Sequence, residues 1–184
     1  MTDTPKIYVA SLCDYNNGIL HGKWIECDSL SQVEAKIEDM LAESPSGKKY
    51  GEVAEEWAIH DTEGFEGIEI GEHESIEKIC ELAEKIAEHG EAFACYINAF
   101  GDDDVEEHYG DFEDRYQGCY ESKESFADEW FENCGAIDAV KNISVVGVSL
   151  DNYLDSDALV RDMEASGSFR FERLNGKVYV FTTN

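Results

Sequence analysis

Histidines and cysteines, the residues best able to serve as general bases, nucleophiles or metal ligands near neutral pH, are few in this chain and are spaced for none of those roles. The five histidines, His21, His60, His73, His89 and His108, form no H-E-x-x-H or related arrangement, and only His73, between Glu72 and Glu74, has flanking carboxylates that could touch a metal. The six cysteines, Cys13, Cys27, Cys80, Cys95, Cys119 and Cys134, include no C-x-x-C pair and have no histidine spaced to complete a zinc site. Asp151, Asp155 and Asp157 lack the glycine and terminal glutamate of a calcium loop. No G-x-S-x-G, phosphate loop or dinucleotide fingerprint occurs. Carboxylate pairs occur throughout, and that abundance makes any one pair uninformative about acid–base catalysis. The expectation is a protein without catalytic residues, bound metal or cofactor.

What the chain does carry is charge. Its 42 acidic and 14 basic residues give a formal net charge of −28, yet 42% of residues are hydrophobic and 11% aromatic, enough apolar material for a core rather than a disordered acidic tail. A charge so far from zero repels nucleic acid and anionic membrane and attracts basic surfaces. The scattered cysteines read as small core residues of a reducing compartment. The opening MTDTPKIYVASLCDYNNG lacks a basic segment leading into an apolar one, and no long apolar run follows, so a soluble cytoplasmic protein is expected.

The stretch 72–114 concentrates the charge, with fifteen acids against Lys78 and Lys85. Ile76, Ile79, Cys80, Ala83, Ile86 and Ala87 fall at helical spacing and predict an amphipathic helix from Ser75 to His89. Beside them Glu77, Glu81, Glu84, Glu88 and Glu91 recur at steps of four and three, a line of carboxylates roughly 5 Å apart along the axis. Like charges at that spacing repel by a few tenths of a kcal/mol per pair. With two lysines to offset them, these acids are not read as salt-bridge partners. Residues 1–71 hold fifteen acids and five bases, and residues 115–184 twelve and seven, so self-repulsion is least in the last third.

The elements around that stretch predict an α+β fold in three small domains, 1–71, 72–115 and 116–184. Lys6–Cys13 and Ile19–Glu26 read as a hairpin turning at Asn17-Gly18. Asp28 or Ser29 then caps a helix to about Glu43, apolar at Leu30, Val33, Ile37, Met40 and Leu41, which Pro45, Ser46 and Gly47 end. Glu55–Thr62 supplies a third antiparallel strand. Short helices over Ser75–His89, Glu91–Phe100 and Asp102–Arg115 suggest a small bundle. Capped helices over Ser122–Asn133 and Asp155–Ala165, then a closing hairpin of Ser168–Leu174 and Lys177–Thr182 around Asn175-Gly176, complete the chain.

B-form DNA carries one negative charge per about 1.7 Å of axis, and a basic groove recognises it largely through counterion release. At that density the 28 net charges would cover at most about 48 Å, or about 14 base pairs. The segments IYVASLCDYNNGILHGKWIE, EEWAIHDTEGFEGIEIGEHESIEKICELAEKIAEHGE and YLDSDALVRDMEASG, with a final VYVF, occur in the order found in the ArdA antirestriction proteins of mobile genetic elements, which this chain resembles over most of its length. Glu56–Gly67 is similar to that family's antirestriction motif. The resemblance implies a DNA mimic that occupies the DNA-binding groove of type I restriction-modification enzymes, formed by their specificity and methyltransferase subunits. It also implies an elongated homodimer of three-domain subunits joined through the C-terminal domain.

Within the motif, Trp57, Ile59 and Phe65 are read as core and Gly64 and Gly67 as turn positions. The candidate partner-binding carboxylates are Glu55, Glu56, Asp61, Glu63, Glu66, Glu77, Glu81, Glu84, Glu88, Glu91, Asp102, Asp103, Asp104, Glu106, Glu107, Asp111, Glu113 and Asp114. Two rivals share the electrostatics: an acidic binding module for another basic DNA-binding protein, and a halophile-type acidic enzyme, which would need the catalytic constellation missing here.

Overall fold

The computed structural model describes residues 4–101 and 105–183, excluding the side chains of 105–109. The fold is α+β with small antiparallel sheets, and the chain divides into two compact units, Met1–Gly110 and Asp111–Asn184.

In the first unit, β1 (Lys6–Ser11) lies between β2 (Gly22–Glu26) and β3 (Trp57–Glu63), antiparallel to both. The expected three-stranded sheet is present, but the connection between its first two strands is not the expected tight hairpin. β1 stops at Ser11 and Leu12–Asn16 form a short helix, α1, with Ser11 Oγ accepting from Asp14 N at 3.3 Å. Asn17-Gly18 ends that helix, through Asn17 N to Asp14 O and Gly18 N to Tyr15 O at 3.0 Å each. The return strand starts only at Gly22, where a Cβ would come within 2.6 Å of Val9 O, so no other residue fits.

Helix α2 (Leu30–Ala42) covers β1 and β2 with Val33, Ile37 and Met40. Ser29 occupies its N-cap without a side-chain cap bond, contrary to expectation. Pro45 does not simply stop that helix; it opens α3 (Pro45–Tyr50), where its fixed φ suits the first turn, and Ser44 Oγ accepts from Gly47 N at 3.1 Å. Helix α4 (Ile76–His89) packs against α2 and against α5 (Glu91–Phe100), burying Ile76, Ile79, Leu82, Ala83 and Ile86. Ala87, read as apolar face, is exposed, and Leu82 occupies the core instead.

In the second unit, β8 (Lys177–Thr182) is the central strand, flanked by β4 (Tyr116–Tyr120) and β7 (Phe169–Leu174). Strand β4 follows α6 (Val105–Arg115) and was not expected; its YQGCY has little strand signal beyond the two tyrosines. It is held by β8, whose Val178–Phe181 are all buried. Helices α7 (Lys123–Asn133) and α9 (Ser156–Ser166) place Phe126 and Met163 against Val178 and Val180. Asp155 caps α9 by accepting from Ala158 N at 2.9 Å. Between them lie a short helix, α8 (Ala136–Val140), and a two-residue ladder of β5 (Ser144–Val145) with β6 (Val148–Ser149).

Candidate functional site

The motif Glu56–Gly67 begins just before β3 and ends in the loop after it. Strand β3 pairs with β1 through a bulge at His60, since Val9 faces Ile59 and Tyr8 faces Asp61. Ala58 and Ile59 are buried ahead of the bulge, and His60, Asp61 and Glu63 are exposed beyond it. Of the three residues expected in the core, Ile59 and Phe65 are buried and Trp57 is half-buried. Phe65 and Ile68 pin the following loop, with Ile68 N donating to Phe65 O at 3.0 Å. Glu72 O then accepts from Ile59 N at 2.9 Å, returning the loop to β3. Gly64 turns at φ 84° with Pro5 Cα only 3.1 Å from where a Cβ would stand, and Gly67 at φ 87°.

This loop and β3 enclose an open polar hollow of about 590 Å³ into which Asp61 and Glu66 are brought together with Glu69 and Glu72, two acids absent from the expected set. Their signal was the continuation of acidic positions past Gly67. Asp61 Oδ1 accepts from Thr62 N at 2.8 Å, and Glu63 pairs with Lys6 at 2.9 Å. Glu55 and Glu56 are exposed just ahead of β3, and Glu56 O accepts from Leu12 N at 3.0 Å.

Helix α4 presents the second group. Glu77, Glu84 and Glu88 are exposed on it and Glu81 is half-buried, so the expected row is real but not uniformly open; its fifth member, the half-buried Glu91, lies past the break at Gly90 and starts α5. At 3.6 residues per turn the four on α4 fall within an arc of about 60°, opposite the buried ridge. Three successive repulsions of about 0.2–0.5 kcal/mol would cost about 0.6–1.5 kcal/mol. Four large buried aliphatics contribute about 1.5–3 kcal/mol each, so packing holds the helix despite its charge. The two lysines do pair with acids, which corrects the sequence reading: Lys78 meets Glu74 at 3.3 Å and Lys85 meets Glu88 at 3.9 Å. Two lysines against that many acids offset only part of the charge and leave the row in excess.

Helix α2, which packs against α4, adds acids that the sequence reading passed over. Glu34 and Glu38, and Asp39 and Glu43, form two exposed pairs four residues apart. The signal is the same i,i+4 spacing, on the side of that helix opposite Val33, Ile37 and Met40. Lys36, among them, pairs with Asp28 at 3.5 Å.

Asp102, Asp103 and Asp104 lie outside the described residues; Glu106 and Glu107 lie on α6, their side chains outside the described set. In the second unit Asp111 pairs with Arg115 at 2.6 Å, and Glu113 and Asp114 are exposed. The cysteines are not uniformly core residues as expected: Cys27 and Cys95 are buried, but Cys119 and Cys134 are exposed. No three His, Cys, Asp or Glu side chains among the described residues converge to hold a metal ion, and no described helix is long and apolar enough to cross a membrane.

One carboxylate is built differently. Asp14 is fully buried, and burial alone would push its carboxyl up. The Ser46 N–H, donating to Oδ1 at 2.8 Å, and the hydroxyls of Ser11, Ser44 and Ser46 outweigh that and hold it at about 2. It fastens α1 to the start of α3 and is a structural acid, not a surface one.

A family model described as "Antirestriction protein (ArdA)" matches residues 7–174 of the chain. Curated proteins yield no match.

Proposed function

The chain belongs to the ArdA family and its function is antirestriction, and from that premise we propose that it works as a mimic of DNA, filling the DNA-binding groove of a type I restriction-modification enzyme and competing with incoming DNA. The reading is of stoichiometric inhibition in the cytoplasm, without catalysis or cofactor, directed at the groove of the specificity and methyltransferase subunits and blocking cleavage of incoming DNA. The observation that carries it is the set of outward carboxylates on α4 and α2 and around the β3 loop, whose charge the fewer lysines nearby offset only in part. One row at roughly 5 Å per charge is sparser than DNA at about 1.7 Å, so mimicry needs several rows.

In this reading residues 1–71, 72–115 and 116–184 act as successive domains, and the last joins two subunits. Support for that joining comes from its lower charge and from Ile143, Val145, Val146 and Val148, exposed apolar residues on and beside the β5–β6 ladder. The test is titration of the protein into a type I enzyme cleaving unmodified DNA at two salt concentrations. Inhibition near one dimer per DNA site, relieved by added DNA, is expected; no inhibition at any ratio would point to another basic target.

A further inference from the structure

The second unit holds a hollow of about 330 Å³ between β4 and α7 that no acidic row explains. The rings of Tyr120, Phe126 and Trp130 wall it, with Tyr120 and Phe126 at 5.2 Å edge to face and Phe126 and Trp130 at 5.7 Å. Phe126 is buried, whereas Trp130 remains 38% exposed, so an indole is open to solvent at the wall. Glu129 is the only charged residue lining the hollow. Its Oε1 accepts from Tyr120 Oη at 3.5 Å and Asn133 Nδ2 at 3.4 Å, while no described residue donates to Oε2. No described lysine or arginine pairs with it. The carboxylate is thus oriented by one oxygen and offers the other.

That combination selects its ligand by charge and shape. An anion is repelled by Glu129, and the volume is at the low end for a small-molecule site but fits a single side chain. A planar cation gains from an aromatic face and from a carboxylate together, and guanidinium is less hydrated than ammonium and matches both. We propose that this hollow receives an arginine side chain of the basic protein the chain inhibits. The identity of the donor rests on the DNA-mimic reading, because a groove that grips phosphates presents arginines. The affinity of the hollow for guanidinium does not.

The test separates the two. The indole N–H of Trp130, assigned from the spectrum of Trp130→Phe, is followed by NMR as N-acetyl-arginine methylamide is added, with the neutral citrulline analogue as control. A saturable shift with Kd on the order of millimolar is expected, at least about threefold weaker in Glu129→Gln and, followed through the backbone amides of Tyr120 and Phe126 because the reporter indole is gone, in Trp130→Ala, and absent with citrulline. Equal binding of citrulline, or no saturable shift with arginine, overturns the site. Glu129→Gln changes an exposed residue and keeps the test readable if Trp130→Ala fails to fold. In the inhibition titration both variants should then require about three- to tenfold more protein. Unchanged inhibition overturns the assignment of the arginine to the target, and a change in self-association by sedimentation overturns it in favour of a second copy. Loss of all inhibition by the wild-type protein with arginine binding intact would remove the mimicry reading alone.

Discussion

Asp14 shows how differently one residue type is used within this chain. Most of its carboxylates face water, where their charge is free to act on a partner, but Asp14 is spent on joining α1 to α3. Its carboxyl, held at about 2 against an ordinary value near 4, contributes stability that is present above about pH 4 and lost as pH falls toward 2. Urea unfolding midpoints should therefore fall over that window in the wild type and fall less in Asp14→Asn. Asp14→Ala, which strands the Ser46 N–H, should cost roughly 1–3 kcal/mol at neutral pH. A loss below about 0.5 kcal/mol would show that the bond is replaced by water. The thiols divide in the same way. Burial, first of all, pushes Cys27 up to about 12, so iodoacetamide near pH 8 should label Cys119 and Cys134 first and Cys27 last. Equal rates would mean that the first unit opens readily.

At the scale of elements, α4 carries two demands on opposite faces. Its buried ridge determines whether it forms; its charged face opposes it. Replacing Glu77, Glu81, Glu84 and Glu88 together by glutamine should raise Tm, by relief of about 0.6–1.5 kcal/mol of repulsion, while weakening inhibition at least about tenfold. Any single replacement should change inhibition less than about twofold, because the rows share the load. A single Glu→Gln change that abolished inhibition would contradict shared electrostatic recognition. Leu82→Ala should act the other way, costing about 2–5 kcal/mol in thermal or urea unfolding through the cavity it leaves, with inhibition intact where the protein remains folded.

For the whole molecule, salt should move stability and inhibition in opposite directions. A net charge of −28 repels itself, so screening between about 10 and 500 mM salt should raise Tm. The same screening should weaken binding to a basic groove, and less steeply than for DNA, whose denser charge condenses more counterions to be released. Calorimetry and inhibition titrations across one salt series would measure both. An inhibition constant indifferent to salt would argue for apolar contacts, such as those offered by the exposed valines of the β5–β6 ladder.

Much of this was legible along the chain: the charge excess, the amphipathic period of α4, the closing hairpin, the cap at Asp155 and the motif's β3 strand. These depend on residues within a few positions of one another, and local sequence determines them. The rest needed distant partners. Asn175-Gly176 adopts positive φ at both residues and joins β7 to β8 in a two-residue turn, whereas the same pair at Asn17-Gly18 terminates α1. The difference is Asp14, whose carboxylate is claimed by Ser46, 32 residues away, and so favours a helical turn where a hairpin was expected. Strand β4 is a strand because buried β8 offers it an edge, not because YQGCY favours one. Which carboxylates remain open, and that Tyr120, Phe126, Trp130 and Glu129 share one hollow, was likewise decided by packing: burial is a property of what lies opposite a residue, and the chain names its neighbours only once it is folded.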